Sequence, residues 1–214
     1  MVLKLYAVSI STCTRRTATI FHELQVPFEL VEVDWKNNAH KTPEFLEKQP
    51  FGQVPYLDDE GFIVYESRAI CRYVAAKYPE SGLIPTDPKA NALFEQAVSV
   101  ELTRFEPTGG KIGLALYTQK TSGVVADKAI IDPLMATLDK TLEGYEVILG
   151  KHRYLAGDTL TLADLFHLPY LSYVGLQGSD IMTKRPNVAR WYSELIGRPS
   201  WLAYVDGVKS TLEY

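Results

Sequence analysis

Only two cysteines occur among the 214 residues, Cys13 and Cys71, and they form no C-x-x-C pair. That fits a reducing, cytosolic setting best. No apolar run approaches the roughly 20 residues that a membrane-spanning helix needs. No basic run stands out and the net charge is −4, so neither nucleic acid nor an anionic membrane is expected as a partner. The opening Met-Val-Leu-Lys-Leu-Tyr-Ala-Val enters a strand pattern directly, without the apolar stretch and small-residue cleavage site of a signal peptide. There is no Asn-x-Ser/Thr acceptor and no lipidation or retention tail. The four histidines lack metal-ligand spacing and no cysteine pair supports them, so no metal is expected. Without a Gly-x-Ser-x-Gly elbow, no serine-hydrolase triad is visible.

What is there is enough apolar residue, 46% of the chain, for one large domain or two small ones. Residues 2–8 alternate and are rich in β formers. Residues 14–25 carry Ala18, Phe21 and Leu24 at helical spacing, and Pro27 ends that helix. Residues 28–35 return to strand, which makes a βαβ unit with parallel strands. Thr42-Pro43-Glu44 starts a short helix that ends near Pro50. Strands at 54–58 and 62–66, joined by Asp59-Glu60-Gly61, form an antiparallel hairpin, and a helix over 67–78 follows. This order predicts a four-stranded mixed sheet in a thioredoxin-like α+β domain over residues 1–79. Residues 80–88 read as a proline-containing linker. Every periodic segment after it is helical, so 89–214 is expected to be an all-α domain. A bend is expected near Pro107 and Gly109-Gly110, a second bend or break at Pro133, and a capping box at Thr161-Leu162-Ala163-Asp164.

Two stretches point to chemistry. The first is Phe51-Gly52-Gln53-Val54-Pro55-Tyr56-Leu57, where Pro55 belongs at a strand entrance or edge. A cis bond there would turn the Val54 amide and carbonyl towards a visitor. The second is Tyr65-Glu66-Ser67-Arg68-Ala69-Ile70, a strand end running into a helix that Ser67 would cap. An acid beside a helix N-terminus suits a ligand carrying both an ammonium and a carboxylate. Ser11-Thr12-Cys13 sits between the first strand and the first helix, where partial positive charge favours an anion. Taken alone, Ser11 or Thr12 is a helix cap, and His40 and Lys41 are ordinary surface charges. Cys13, in the first helical turn, is a rival reactive group. Tyr6 on the first strand is another, although it reads first as a side chain of the sheet.

Gln53-Val54-Pro55 followed by Glu66-Ser67-Arg68-Ala69-Ile70 resembles the glutathione transferases. The serine a few residues before Arg15-Arg16 resembles their phi class, known from plants and fungi. Leu160-Thr161-Leu162-Ala163-Asp164, Arg185-Pro186-Asn187 and Arg198-Pro199-Ser200-Trp201 extend the resemblance over nearly the whole chain. One departure is Gln49, where phi members more often carry asparagine. The resemblance implies the glutathione transferase fold, with glutathione as co-substrate and no other cofactor. It implies Ser11 as the catalytic donor to a bound thiolate. Ser11, Thr12, His40, Lys41, Gln53, Val54, Glu66 and Ser67 would bind glutathione. His40 and Lys41 would take the glycyl end, the Val54 backbone the cysteinyl unit, and Glu66 with Ser67 the γ-glutamyl group. The other partners would be hydrophobic electrophiles, received in an apolar site between the domains near Leu114 and Tyr117, and a second copy of the chain in a homodimer. Hydroperoxide reduction would be a side activity. A carrier of apolar ligands and a Cys13-dependent thiol–disulfide oxidoreductase are the alternative readings.

Overall fold

In the computed structural model, which describes residues 2–175 and 179–214, the chain opens with β1 (Leu3–Ala7), α1 (Thr12–Glu23) and β2 (Phe28–Glu32). A 3₁₀ turn at Ala39–Lys41 leads to α2 (Pro43–Leu46), then β3 (Tyr56–Asp59), β4 (Phe62–Tyr65) and α3 (Ser67–Ala76). The strands form one mixed sheet in the order β2-β1-β3-β4, with β1 parallel to β2 and antiparallel pairs elsewhere. This is the four-stranded sheet expected from the element order. Leu5, Ala18, Phe21, Phe28, Leu57, Ile70 and Val74 meet in its core and are fully buried.

Contacts divide the chain into two units: Met1–Ser81 together with Pro199–Tyr214, and Gly82–Arg198. Residues 199–214, expected in the helical part, instead pack with the sheet. The physical reason is the open edge of β2. Phe28 and Thr211 exchange backbone hydrogen bonds of 2.8 and 3.0 Å, and the Leu30 amide donates to Ser210 Oγ at 2.9 Å. An edge strand with free amides and carbonyls takes the pairing that is available. The same segment supports α1 through the short helix α10 (Pro199–Leu202). The Arg15 guanidinium lies 3.3 Å over the Trp201 ring, and Ser200 hydrogen-bonds Glu23.

The second unit holds α4 (Pro88–Val100), a π-helical segment (Glu101–Gly110), α5 (Lys111–Ser122), α6 (Lys128–Leu149), α7 (Leu162–Leu165), α8 (Leu168–Val174) and α9 (Pro186–Ile196). The irregularity expected at Pro107 and Gly109-Gly110 is the π-helical segment, a wider winding that absorbs a residue lacking an N–H. A side chain at Gly109 would stand 2.9 Å from the Phe105 ring, so the small residue lets that ring lie against its own helix. Of the bend or break expected at Pro133, the break does not occur. Proline falls in the second turn of α6, which continues to Leu149.

Asp164 is fully buried and organises this unit. Its carboxylate accepts from the Leu155 amide at 3.0 Å, the Thr161 amide at 3.1 Å and the Trp191 indole at 3.0 Å. Burial nevertheless raises its pKa, against the pull of those donors. Asp164→Ala would leave these three N–H donors, and the Thr161 hydroxyl that also donates to it at 3.2 Å, without their acceptor, each N–H worth about 1–3 kcal/mol. We expect the variant to lose at least about 3 kcal/mol of stability. Urea unfolding checks this, read as a lower midpoint at unchanged slope.

Candidate active site

Strand directions decide where the predicted site residues fall. β1 and β2 run parallel, β3 runs against β1, and β4 runs against β3, so β1, β2 and β4 point the same way. The register aligns Ala7 with Glu32, Tyr6 with Tyr56, and Tyr56 with Tyr65. One end of the sheet therefore carries the exits of β1, β2 and β4 and the entrance of β3. Ser11 and Thr12 follow β1, Trp35 to Lys41 follow β2, Gln53 and Val54 precede β3, and Glu66 and Ser67 follow β4. Residues scattered over nearly sixty positions are gathered at one end by topology alone.

Ser11 occupies the N-cap position of α1 with extended backbone, φ −68° and ψ 136°, yet its hydroxyl does not cap the helix. Thr12 is the first helical residue and is half-buried. Cys13, also half-buried, holds its Sγ 3.9 Å from Arg16 Nη1. Cys71 is fully buried, and burial pushes its thiol up to about 12. Tyr6 stacks on Tyr56 with ring centroids 4.5 Å apart, as a side chain of the sheet.

The turn before β3 is braced from below. Gln49 is buried; its side chain accepts from the Gln53 amide at 3.1 Å and its carbonyl from the Gly52 amide at 3.0 Å. Lys41 Nζ donates to the carbonyls of Gly52 at 2.9 Å and Phe51 at 3.3 Å. Gly52 has φ +59°, and a Cβ there would stand 2.6 Å from Lys41 Nζ and 2.8 Å from the His40 carbonyl. Only glycine accepts both the left-handed backbone and that closeness. The Val54–Pro55 bond is cis, as considered from the sequence. The Val54 amide and carbonyl form no hydrogen bond among the described residues, and β3 begins beyond them at Tyr56. Two backbone groups are thus presented as a strand edge.

At the start of α3 the details differ from the expectation. Glu66, not Ser67, is the N-cap, and Ser67 is the first helical residue. Glu66 has φ +68° and ψ 113°, a backbone conformation that costs a non-glycine residue roughly 1–3 kcal/mol. Its side chain is exposed, while Ser67 is buried and its Oγ accepts from Arg16 Nη1 at 2.9 Å. An acid and a hydroxyl at a helix N-terminus are thereby placed side by side.

His40 is not a surface charge. It is 4% exposed, stacked on Trp35 at 3.7 Å with planes 7° apart, and its Nδ1 is buried without a hydrogen-bond partner. Burial first, and then the Lys41 charge, hold its pKa below the ordinary 6.5. Leu114 and Tyr117 lie on α5 in the other unit. Leu114 is 61% exposed, whereas Tyr117 packs edge-on against Tyr173 at 5.8 Å.

Sequence reasoning missed Arg16, Gln49 and Trp35 as parts of this end of the sheet. For Arg16 a signal existed: it lies one helical turn before the apolar Ile20, and both are buried. Gln49 was noticed as a loop substitution, but its side chain holds the turn. Nothing in the sequence marked Trp35, read as a strand residue, as a plate for His40.

Two family models match the chain: the glutathione S-transferase N-terminal domain over residues 1–76 and the glutathione S-transferase C-terminal domain over residues 105–199. A glutathione S-transferase of Arabidopsis thaliana is 40% identical over 196 residues, covering 89% of this chain and 90% of that protein. One from Hypomyces subiculosus is 42% identical over 210 residues, covering 94% and 97%. A Populus trichocarpa glutathione transferase superposes with a TM-score of 0.89 at 37% identity, over 95% of this chain and 97% of that one. Glutathione S-transferase I from maize, solved with an atrazine–glutathione conjugate, superposes with a TM-score of 0.87 at 34% identity, over 95% and 96%.

A neutral His40 in the fold adds stability above about pH 6.5, which is lost as the pH falls through its lowered folded pKa. Trp35→Ala would uncover the ring and move its titration up towards 6.5. Imidazole proton shifts followed by NMR check this. An unchanged titration would mean that the stack contributes nothing to the burial.

Proposed function

This chain belongs to the glutathione S-transferase family, in its phi class, and from that premise we propose how its first unit performs glutathione conjugation. The proposal rests chiefly on Ser11, whose hydroxyl stands at the start of α1 without serving as its cap. Glutathione lies along the Val54 backbone as an added strand. Its γ-glutamyl ammonium meets Glu66 and the carboxylate meets Ser67 and the α3 amides. Its glycyl carboxylate lies towards His40 and Lys41, while Gln53 flanks the backbone and Thr12 the sulfur.

A free thiol of pKa about 8.5 is only roughly 3% ionised at neutral pH. Lowering that value by about two units stabilises the thiolate by roughly 2.7 kcal/mol. A helix N-terminus supplies about 0.3–1 kcal/mol when exposed and up to about 2 when partly buried. A hydrogen bond to a charged group supplies about 1.5–3 kcal/mol. Neither source suffices at its midpoint, but the Ser11 hydroxyl and the start of α1 together do. The thiol proton leaves for solvent, and the thiolate attacks an electrophilic carbon, displacing a leaving group or adding across a polarised double bond. With an organic hydroperoxide the same thiolate would attack oxygen. A second glutathione then completes the disulfide, leaving an alcohol and water.

Leu114, exposed on α5, is proposed to touch the apolar acceptor, with Tyr117 beside it. We propose glutathione as the only co-substrate besides the electrophile, with no further cofactor. A homodimer in the cytosol completes the reading; among the described residues no helix is long and apolar enough to cross a membrane. Sedimentation at micromolar concentration tests the dimer.

Ser11→Ala should lower the conjugation rate at saturating glutathione by about 10²-fold, the usual effect of removing one donor to a developing anion. It should also raise the pH at which the bound thiol ionises. Cys13→Ser should leave both nearly unchanged. Thiolate absorbance near 240 nm and pH–rate curves report the result. An unaltered rate in Ser11→Ala refutes the serine assignment, and a rate lost in Cys13→Ser would transfer the role to the cysteine.

A further inference from the structure

Arg16 is an unusual residue to find 1% exposed in the second turn of α1. Its guanidinium goes to a different partner from that of neighbouring Arg15, which reaches Trp201. It crosses to the start of α3 and donates through Nη1 to Ser67 Oγ at 2.9 Å. We infer that Arg16 is a positioning residue that aims the Ser67 hydroxyl and so sets the affinity for the γ-glutamyl carboxylate of glutathione. The inference rests on the reading of Ser67 as a carboxylate contact.

A guanidinium can only donate. By occupying one lone pair of Ser67 Oγ it turns the hydroxyl proton away from itself, which favours Ser67 meeting the ligand as a donor. A serine at the start of a helix could otherwise turn that proton to a nearby carbonyl and show the ligand a lone pair, which a carboxylate would avoid. The guanidinium also brings a positive charge within 2.9 Å of the hydroxyl oxygen. Its positive charge adds to that of the α3 N-terminus at the place where a carboxylate would rest. Arg16 need not touch the ligand to do this. It acts on binding through Ser67 and is remote in role from the sulfur, which Ser11 serves.

A binding split should therefore separate it from Ser11. Arg16→Gln should raise the KM for glutathione by about tenfold, the scale of one weakened hydrogen bond to a charged group, with kcat within about threefold. Arg16→Lys, which keeps the charge but loses the planar fork, should recover part of that affinity. It also carries the comparison if Arg16→Gln does not fold. The decisive probe is a glutathione analogue whose γ-glutamyl carboxylate is a carboxamide. The wild-type protein should prefer glutathione to this amide strongly, and Arg16→Gln should lose most of the preference. Calorimetric titration measures both ligands.

If Arg16→Gln weakens both ligands equally, or lowers kcat along with thermal stability, its role is structural and the inference is overturned. It is also overturned if Ser67→Ala loses the preference for glutathione over the amide while the Arg16 variants retain it. If neither Ser67→Ala nor the amide changes affinity, the carboxylate does not rest on Ser67. The reading beneath the inference then falls with it.

Discussion

A small anionic ligand with two charged ends and a thiol to ionise needs positive potential at several points within one molecule's length. Lysines could supply it, but a flexible ammonium placed near a thiolate would be held loosely and heavily hydrated. The sheet offers a fixed alternative. Because β1 and β4 point the same way, α1 and α3 both begin at the same end of the sheet. Their free amides are a fixed source of partial positive charge that needs no side chain to be ordered. The entrance of β3 lies at that end too, and its Val54 backbone adds a strand edge between two helix starts. Everything else at the site adjusts this arrangement.

Much of the adjustment is mechanical. Arg15 and Arg16 are adjacent in sequence and point to different tasks. Arg15 stacks on Trp201 and fixes α1 to the returning C-terminal segment. Arg16 runs inward and joins α1 to α3 at Ser67. The two guanidiniums thus tie the helix to two different neighbours, and a planar fork suits both tasks better than a lysine would. The turn before β3 is held in a comparable way by Gln49 and Lys41, each through backbone groups of Gly52 or its neighbours. Lys41 spends two of its donors on carbonyls, which fixes the ammonium in place. It still leaves a third donor for a carboxylate.

The parts legible in the sequence are those that local rules decide. Alternation in residues 2–8, the Asp59-Glu60-Gly61 turn and the Thr42-Pro43 helix start each act over a few residues, and they yielded the element order and the mixed sheet. Gln53-Val54-Pro55 and Glu66-Ser67 were legible because a proline at a strand entrance and an acid at a helix start have few structural meanings. The parts that were hidden depend on partners far along the chain. That Arg16 turns inward follows from Ser67, 51 positions later. That residues 199–214 join the sheet follows from the unpaired edge at Phe28, which no periodicity in the tail announces. At Pro133 the sequence left a bend and a break both open, and the helix runs on unbroken with one turn before the proline. Glu66 at φ +68° was invisible because nothing but its surroundings imposes that backbone on a glutamate.

The same distinction bears on the proposed role of a serine, although a cysteine stands two residues away. Cys13 lies inside the first turn of α1, with its sulfur against the Arg16 guanidinium. Ser11 precedes the turn, and its extended backbone sets its side chain at the helix mouth rather than along its wall. A hydroxyl at that place is a better neighbour for a ligand thiolate than a second thiol would be. In the proposed role it would donate a hydrogen bond to the bound anion, and it could not trap that anion as a disulfide. The proposed arrangement keeps the reactive sulfur on the ligand, where each turnover would remove it with the product.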